Sequence, residues 1–190
     1  MKRSAINAAC REALAVFQRT GWSLPPQPNW DVTDCGSGDF SRCGLVLINL
    51  AEEPEYWEKL IYMRVGQSMP MHTHRKKKED IICRHGELMM ELWEGLPADL
   101  RSGAPLRIKK SGAWATINMG QPFALPAGER VTLTPGVYHS FWPSVPDTVI
   151  GEVSSANDDA NDNFFADTSV ARFPTIEEDE PAAVRLVTDR

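Results

Sequence analysis

The sequence predicts a mainly β fold, a sandwich or small barrel, with one helix in front of it. Two observations carry this. Residues 4–20 repeat apolar side chains at helical spacing, and from residue 44 short apolar runs alternate with turn residues. A third observation bounds the size: 190 residues, 42% hydrophobic and 24% charged, are enough for one soluble domain with a substantial core. The formal net charge of −6 argues against a general nucleic-acid binder. No apolar run approaches the roughly 20 residues that span a bilayer. The N-terminus opens on Lys2 and Arg3, and Arg11, Glu12 and Gln18 interrupt its apolar stretch. It therefore lacks a signal-peptide core, and the expected location is the cytoplasm.

The helix comes first. Ser4 is its expected N-cap, and Ile6, Cys10, Ala13, Leu14 and Phe17 share one face. Gly21 is the expected stop. Residues 24–40 are rich in Pro and Gly, show no period, and read as a connection. Residues 1–43 are thus a helix and arm, and 44–190 a β-barrel with a C-terminal extension, together one domain. The strand-like runs are GLVLINL, KLIYMRV, ELMMELW, LRIKK, WATINM, FALP, RVTLTP, HSFW and TVIGEV. Many short strands at near-regular spacing indicate a sandwich or barrel. The tail holds polar SSANDDANDNFF, the acidic IEEDEP at 176–181, and VRLV at 184–187 as a candidate last strand. Cys10, Cys35, Cys43 and Cys83 form no CxxC pair and read as reduced thiols, with a Cys35–Cys43 bridge as the alternative.

The chemistry starts at HTHRKKKE, residues 72–79. On a strand, His72 and His74 point to one face and can converge on one point. The surrounding spacing is Gly66, five residues, His72-x-His74, four residues, Glu79, six residues, Gly86. This resembles the first cupin motif at each of its defined positions. LTPGVYHSFWP resembles the second, with Pro135 and Gly136 adjacent instead of separated by one residue, and His139 three residues after the glycine. The resemblance implies a cupin-type β-barrel (a double-stranded β-helix, or jelly roll). It also implies a metal centre of His72, His74, Glu79 and His139. His85 lies outside the pattern and reads as a turn or surface residue. Three imidazoles and a carboxylate suit a divalent ion such as Mn2+, Co2+, Ni2+, Fe2+ or Zn2+. On an octahedral ion they leave two positions open, suited to polarising neighbouring substrate oxygens or to activating oxygen. Cupin barrels often pair through edge strands or an N-terminal arm, so a homodimer is expected.

The residues around the ligands narrow the chemistry. Lys76, Lys77 and Lys78 fall between two ligands, so at least one is a candidate for proton exchange or substrate binding. A solvated loop is the ordinary fate of such a run. Downstream acids Glu152, Asp158 and Asp159 are candidates for accepting hydrogen bonds from sugar hydroxyls. Glu152 fits a strand-end partner of an arginine equally well. The stretch PMHTHRKKKEDIICRHGELMMELW, with GVYHSFW, GEVSSANDDANDNFF and RFPTIEEDEP, resembles the D-lyxose isomerase family of cupins. That resemblance implies a manganese-type ion, interconversion of D-lyxose with D-xylulose and of D-mannose with D-fructose, and a catalytic role for Lys77. It also implies a partner glutamate, placed at Glu178 first and Glu152 next, although Glu178 also fits a solvated acidic face. The expected course is proton transfer through a metal-stabilised enediol, with a hydride shift as the competing route. A metal-dependent dioxygenase and a non-catalytic sugar-binding cupin are the alternative classes.

Overall fold

The computed structural model describes residues 1–155, 158 and 161–189. Helix α1 runs over Arg3–Arg19. Strands β1 (Asn29–Thr33), β2 (Leu45–Glu52), β3 (Tyr56–Tyr62), β4 (Met69–Thr73), β5 (Glu79–His85) and β6 (Glu87–Trp93) follow. Then come β7 (Pro105–Lys110), β8 (Ala113–Asn118), β9 (Phe123–Pro126), β10 (Arg130–Leu133), β11 (Tyr138–Pro143), β12 (Val149–Ser155) and the short β13 (Phe164–Phe165). They form an eight-stranded sheet of order β1-β2-β3-β12-β5-β10-β7-β8 and a five-stranded sheet of order β13-β4-β11-β6-β9. The mainly β, cupin-type architecture is present as two sheets that stay open, in place of a closed barrel. Among the described residues, no helix is long and apolar enough to cross a membrane.

The core lies between the sheets. Leu47, Ile61, Ile81 and Val131 of the large sheet meet Met90, Leu92, Leu125 and Phe141 of the small one. A second core lies behind the large sheet, where Ile6, Ala13, Val16 and Phe17 of α1 cover Val46, Ile48, Leu60, Tyr62 and Val149. This explains the unbroken apolar run of β2. Leu45 and Leu47 face the inter-sheet core while Val46 and Ile48 face the helix, so both faces are buried. Burying each such side chain stabilises the fold by roughly 1.5–3 kcal/mol.

The ends of α1 differ in how well the sequence foretells them. At the C-terminus, Trp22 N–H donates to Phe17 C=O and Gly21 N–H to Gln18 C=O, with Gly21 at φ +88. That is a Schellman stop, and glycine relieves the left-handed strain. At the N-terminus Lys2, not Ser4, occupies the cap position. Ser4 lies in the first turn, and its N–H and hydroxyl donate to the Asp179 carboxylate at 2.9 and 2.7 Å. The acidic tail thus reaches back to the positive end of the helix. The 184–187 run makes only an isolated bridge, Trp30 to Leu186, and is no strand. Within 24–40, expected as a connection, residues 29–33 form β1. The four cysteines are free thiols.

Candidate active site

The predicted ligands converge from both sheets. His72 on β4 and His139 on β11 are directly paired in the small sheet. His74 follows β4, and Glu79 opens β5 in the large sheet. A turn delivers His139: Val137 N–H donates to Thr134 C=O, Pro135 follows Thr134, and Gly136 has φ +91. These are the demands of a type II turn, so the adjacent Pro-Gly serves in place of the spaced pair. Gly136 N–H also donates to His74 C=O at 2.8 Å, tying the two motif halves together. All four side chains are buried, and the three imidazoles offer ligand atoms within 4.8 Å of one another.

The hydrogen bonds fix which imidazole nitrogen is available. Nδ1 of His72 faces Pro70 C=O at 2.8 Å, that of His74 faces Asp162 C=O at 2.5 Å, and that of His139 faces Val137 C=O at 3.2 Å. A carbonyl only accepts, so each Nδ1 carries a proton, which leaves Nε2 as the nitrogen able to present a lone pair when the ring is neutral. His139 Nε2 stands 3.0 Å from Glu79 Oε1, and neither atom has a hydrogen-bond partner among the described residues. Two buried acceptors at this distance repel unless a cation lies between them or the ring is charged. Burial, then the neighbouring His139 and His74, hold His72 well below the usual histidine pKa. Burial also lowers His74. Burial pushes Glu79 up, but Lys77, His139 and His74 outweigh it and hold the carboxylate well below its usual range. Three imidazoles with Nε2 turned inward beside an ionised carboxylate are a donor set that fits a divalent transition-type ion.

Beside the ligands runs a chain of alternating charges. Lys77 Nζ lies 2.8 Å from Glu79 and 2.9 Å from Glu152, and Lys59 Nζ lies 3.4 Å from Glu152. Lys77 is 4% exposed, while Arg75, Lys76 and Lys78 are exposed. Glu152 on β12 stands directly across from Lys59 on β3, both facing the inter-sheet space. The pocket also takes in Thr33 and Arg172, whose guanidinium pairs with buried Asp31.

The other predicted residues lie elsewhere. Glu178 is not among the residues that line the pocket. It is exposed and bound by Arg3 of α1 through two hydrogen bonds of 2.6 and 2.8 Å, outside the pocket. An acidic run near a helix N-terminus is drawn to that end and to its arginine. Asp158 is likewise outside: its exposed carboxylate accepts from Asn161 Nδ2, and its C=O accepts from Asp162 N–H, so it builds a turn. Asp159 lies outside the described residues. His85 is exposed, as expected, and its Nδ1 meets Asp147 C=O. Sequence reasoning missed Lys59, although it shares inward parity with Ile61 on one strand, an unusual place for a lysine.

The family model described as D-lyxose isomerase matches residues 27–190. The chain belongs to the D-lyxose isomerase family. A D-lyxose/D-mannose isomerase of Serratia proteamaculans is 36% identical across 95% of this chain and 94% of its own length. One of Escherichia coli O157:H7 is 33% identical across 100% and 98%. Among solved structures, L-ribose isomerase of Geodermatophilus obscurus superposes with a TM-score of 0.65 at 16% identity, over 93% of this chain and 98% of that one. The Cellulomonas parahominis L-ribose isomerase solved with L-ribose also gives 0.65, at 14% identity over the same shares. At such identity these two establish the fold alone. Of the three classes open on sequence, family membership selects the sugar ketol-isomerase.

Proposed function

We propose that the chain interconverts D-lyxose and D-xylulose, and also D-mannose and D-fructose, at a divalent centre held by His72, His74, Glu79 and His139. The observation that carries this reading is Lys77 Nζ set between Glu79 and Glu152 in the buried pocket. Mn2+ is the proposed ion, with Co2+, Ni2+, Fe2+ and Zn2+ able to use the same donors. When bound, the ion supplies Lewis acidity for two neighbouring sugar oxygens.

The chain's own groups supply the proton traffic. The Glu152 carboxylate takes the proton from C2 of the aldose and returns it to C1. The Lys77 ammonium gives a proton to O1 and recovers one from O2, which balances the conversion through an enediol. Lys59 holds Glu152 from the other side, fixing its orientation in the buried pocket. Glu152, the second choice on sequence, thereby takes the role first given to Glu178. A monosaccharide is the natural ligand, and a cytoplasmic homodimer belongs to the same reading.

The test is to offer the Mn2+-loaded protein the four sugars and follow them by NMR in D2O. Interconversion with deuterium entering at C1 of the ketose supports proton transfer. Full retention of the original hydrogen favours the hydride shift. No turnover of any of the four sinks the proposal.

A further inference from the structure

We propose that Asp162 is a positioning residue that holds residues 74–77 in the shape the reaction uses. It aims Nε2 of His74 into the ligand cluster and turns Lys77, alone of three consecutive lysines, into the pocket. The inference rests on the roles proposed above for His74 and Lys77.

The sequence of the loop cannot make this choice. Lys76, Lys77 and Lys78 have the same side chain, and each is better solvated outside. Yet Lys77 is buried and its two neighbours are exposed. The difference lies in the backbone, and one distant side chain organises it. Arg75 N–H donates to Asp162 Oδ1 at 2.9 Å, and Lys76 and Lys77 N–H donate to Oδ2 at 3.1 and 3.0 Å. Three successive amides turned to one side form an anion-binding concavity. Here the chain's own buried carboxylate fills it. The same residue's carbonyl accepts the hydrogen bond from His74 Nδ1–H at 2.5 Å. Asp162 therefore touches every residue from the ligand His74 to Lys77.

Asp162 is itself anchored beside β4, the strand that carries His72. Its N–H donates to Asp158 C=O at 2.8 Å. Two residues later β13 pairs with β4, Phe164 opposite Thr73 and Phe165 opposite His72. The two-residue strand thus has a purpose: it clips Asp162 beside the end of β4. Charge-assisted bonds from backbone N–H to carboxylate are the stronger kind, so the anchor is stiff. No neutral side chain offers two oxygens that only accept.

The test compares Asp162→Ala and Asp162→Asn with Asp179→Ala, which also removes a carboxylate from backbone and hydroxyl donors but far from the pocket. Three quantities are read: amide hydrogen exchange at residues 75–77, the affinity for Mn2+ alone by calorimetry, and kcat and KM for D-lyxose. For Asp162→Ala we expect the three amides to exchange at least about tenfold faster. The Mn2+ Kd should rise about tenfold and kcat fall about 10–100-fold, with KM changing much less. Asp162→Asn keeps one acceptor oxygen and should fall between, and it carries the test if the alanine variant does not fold. Asp179→Ala should lower Tm while leaving all three readouts near wild type. Amides as protected in the Asp162 variants as in wild type would overturn the proposal. So would kcat and Mn2+ affinity that move no more than in Asp179→Ala. Wild-type protein that turns over none of the sugars would defeat the functional reading instead, and the exchange and Mn2+ measurements would still decide the role of Asp162.

Discussion

Lys77, Glu79 and Glu152 are three buried charges in contact, and such groups tolerate change only when the replacement keeps their partners satisfied. Glu152→Gln is the cleanest probe, because its amide oxygen still accepts from Lys77 while its basicity is gone. It should lower kcat by about 10²–10⁴-fold with KM for D-lyxose much less affected, as expected for a lost general base. Glu178→Ala should lower Tm through the lost Arg3 pair and leave kcat near wild type. The reverse pattern, with Glu178 needed for turnover and Glu152 dispensable, would restore the sequence-based assignment. The contrast explains what was legible at this scale. The proposed ligands are tied to a rigid strand–loop–strand spacing, so the convergence of His72, His74 and Glu79 on one point can be expected from numbers alone. A partner carboxylate needs only to be nearby in space, and the chain has acids at 152, 158, 159 and 177–180 with nothing local to rank them. Asp162, one acid in NDDANDN, carries no local signal because its partners lie some 85 residues away.

Among the elements, those with uniform apolar faces were legible and those with polar inward positions were not. ELMMELW and FALP coincide with β6 and β9. β1 escaped because its inward residues include Asp31 and Thr33, whose partners Arg172 and the Arg172 carbonyl lie far along the chain. β5 was hidden inside the motif, where Glu79 and Asp80 interrupt the apolar pattern. Helix α1 was read correctly in position, but its means of attachment was not visible. Beyond its apolar face, Glu12 accepts from Arg64 at 2.6 Å and from the Tyr62 hydroxyl at 2.6 Å, linking the helix to β3 and the chain after it. The bond from Arg64 outweighs partial burial and holds Glu12 below its usual pKa. The stability gained is therefore present above about pH 4.5 and is lost as pH falls through the lower folded value. At neutral pH, Glu12→Gln should cost about 0.5–1 kcal/mol, discounted because the pair is partly exposed. Thermal melts from about pH 3 to 7 should show the gap between wild type and variant closing on the acid side. A gap that stays constant across this range would mean that Glu12 acts through packing and not through its charge.

For the whole molecule, the site joins the two sheets. His72 and His139 belong to the small sheet, Glu79 to the large one, and His74 to the loop between them. Within this cluster Glu79 Oε1 and His139 Nε2 lie 3.0 Å apart, and neither has a hydrogen-bond partner among the described residues. A cation that binds this cluster and not the unfolded chain must raise stability by mass action. At a free Mn2+ concentration about 1,000-fold above Kd the gain is about 4 kcal/mol, or about 8–16 °C in Tm for a chain of this length. The gain also has a predictable pH limit. Ligand imidazoles must be neutral to bind, and burial depresses the pKa of His72 and His74. His72 and His74 should therefore stay neutral at pH 6.5, where a free imidazole is half protonated, and become protonated only further into acid. Melts of protein in chelator and in Mn2+, repeated across pH, should show a full Tm gain at about pH 6.5–8 that shrinks as pH falls below that range. His139→Ala should abolish most of the gain at every pH, because it removes one proposed ligand and leaves the His72 and His74 rings held by their backbone carbonyls. A Tm gain of equal size in His139→Ala, or one unchanged far into acid, would place the Mn2+ somewhere other than between the sheets.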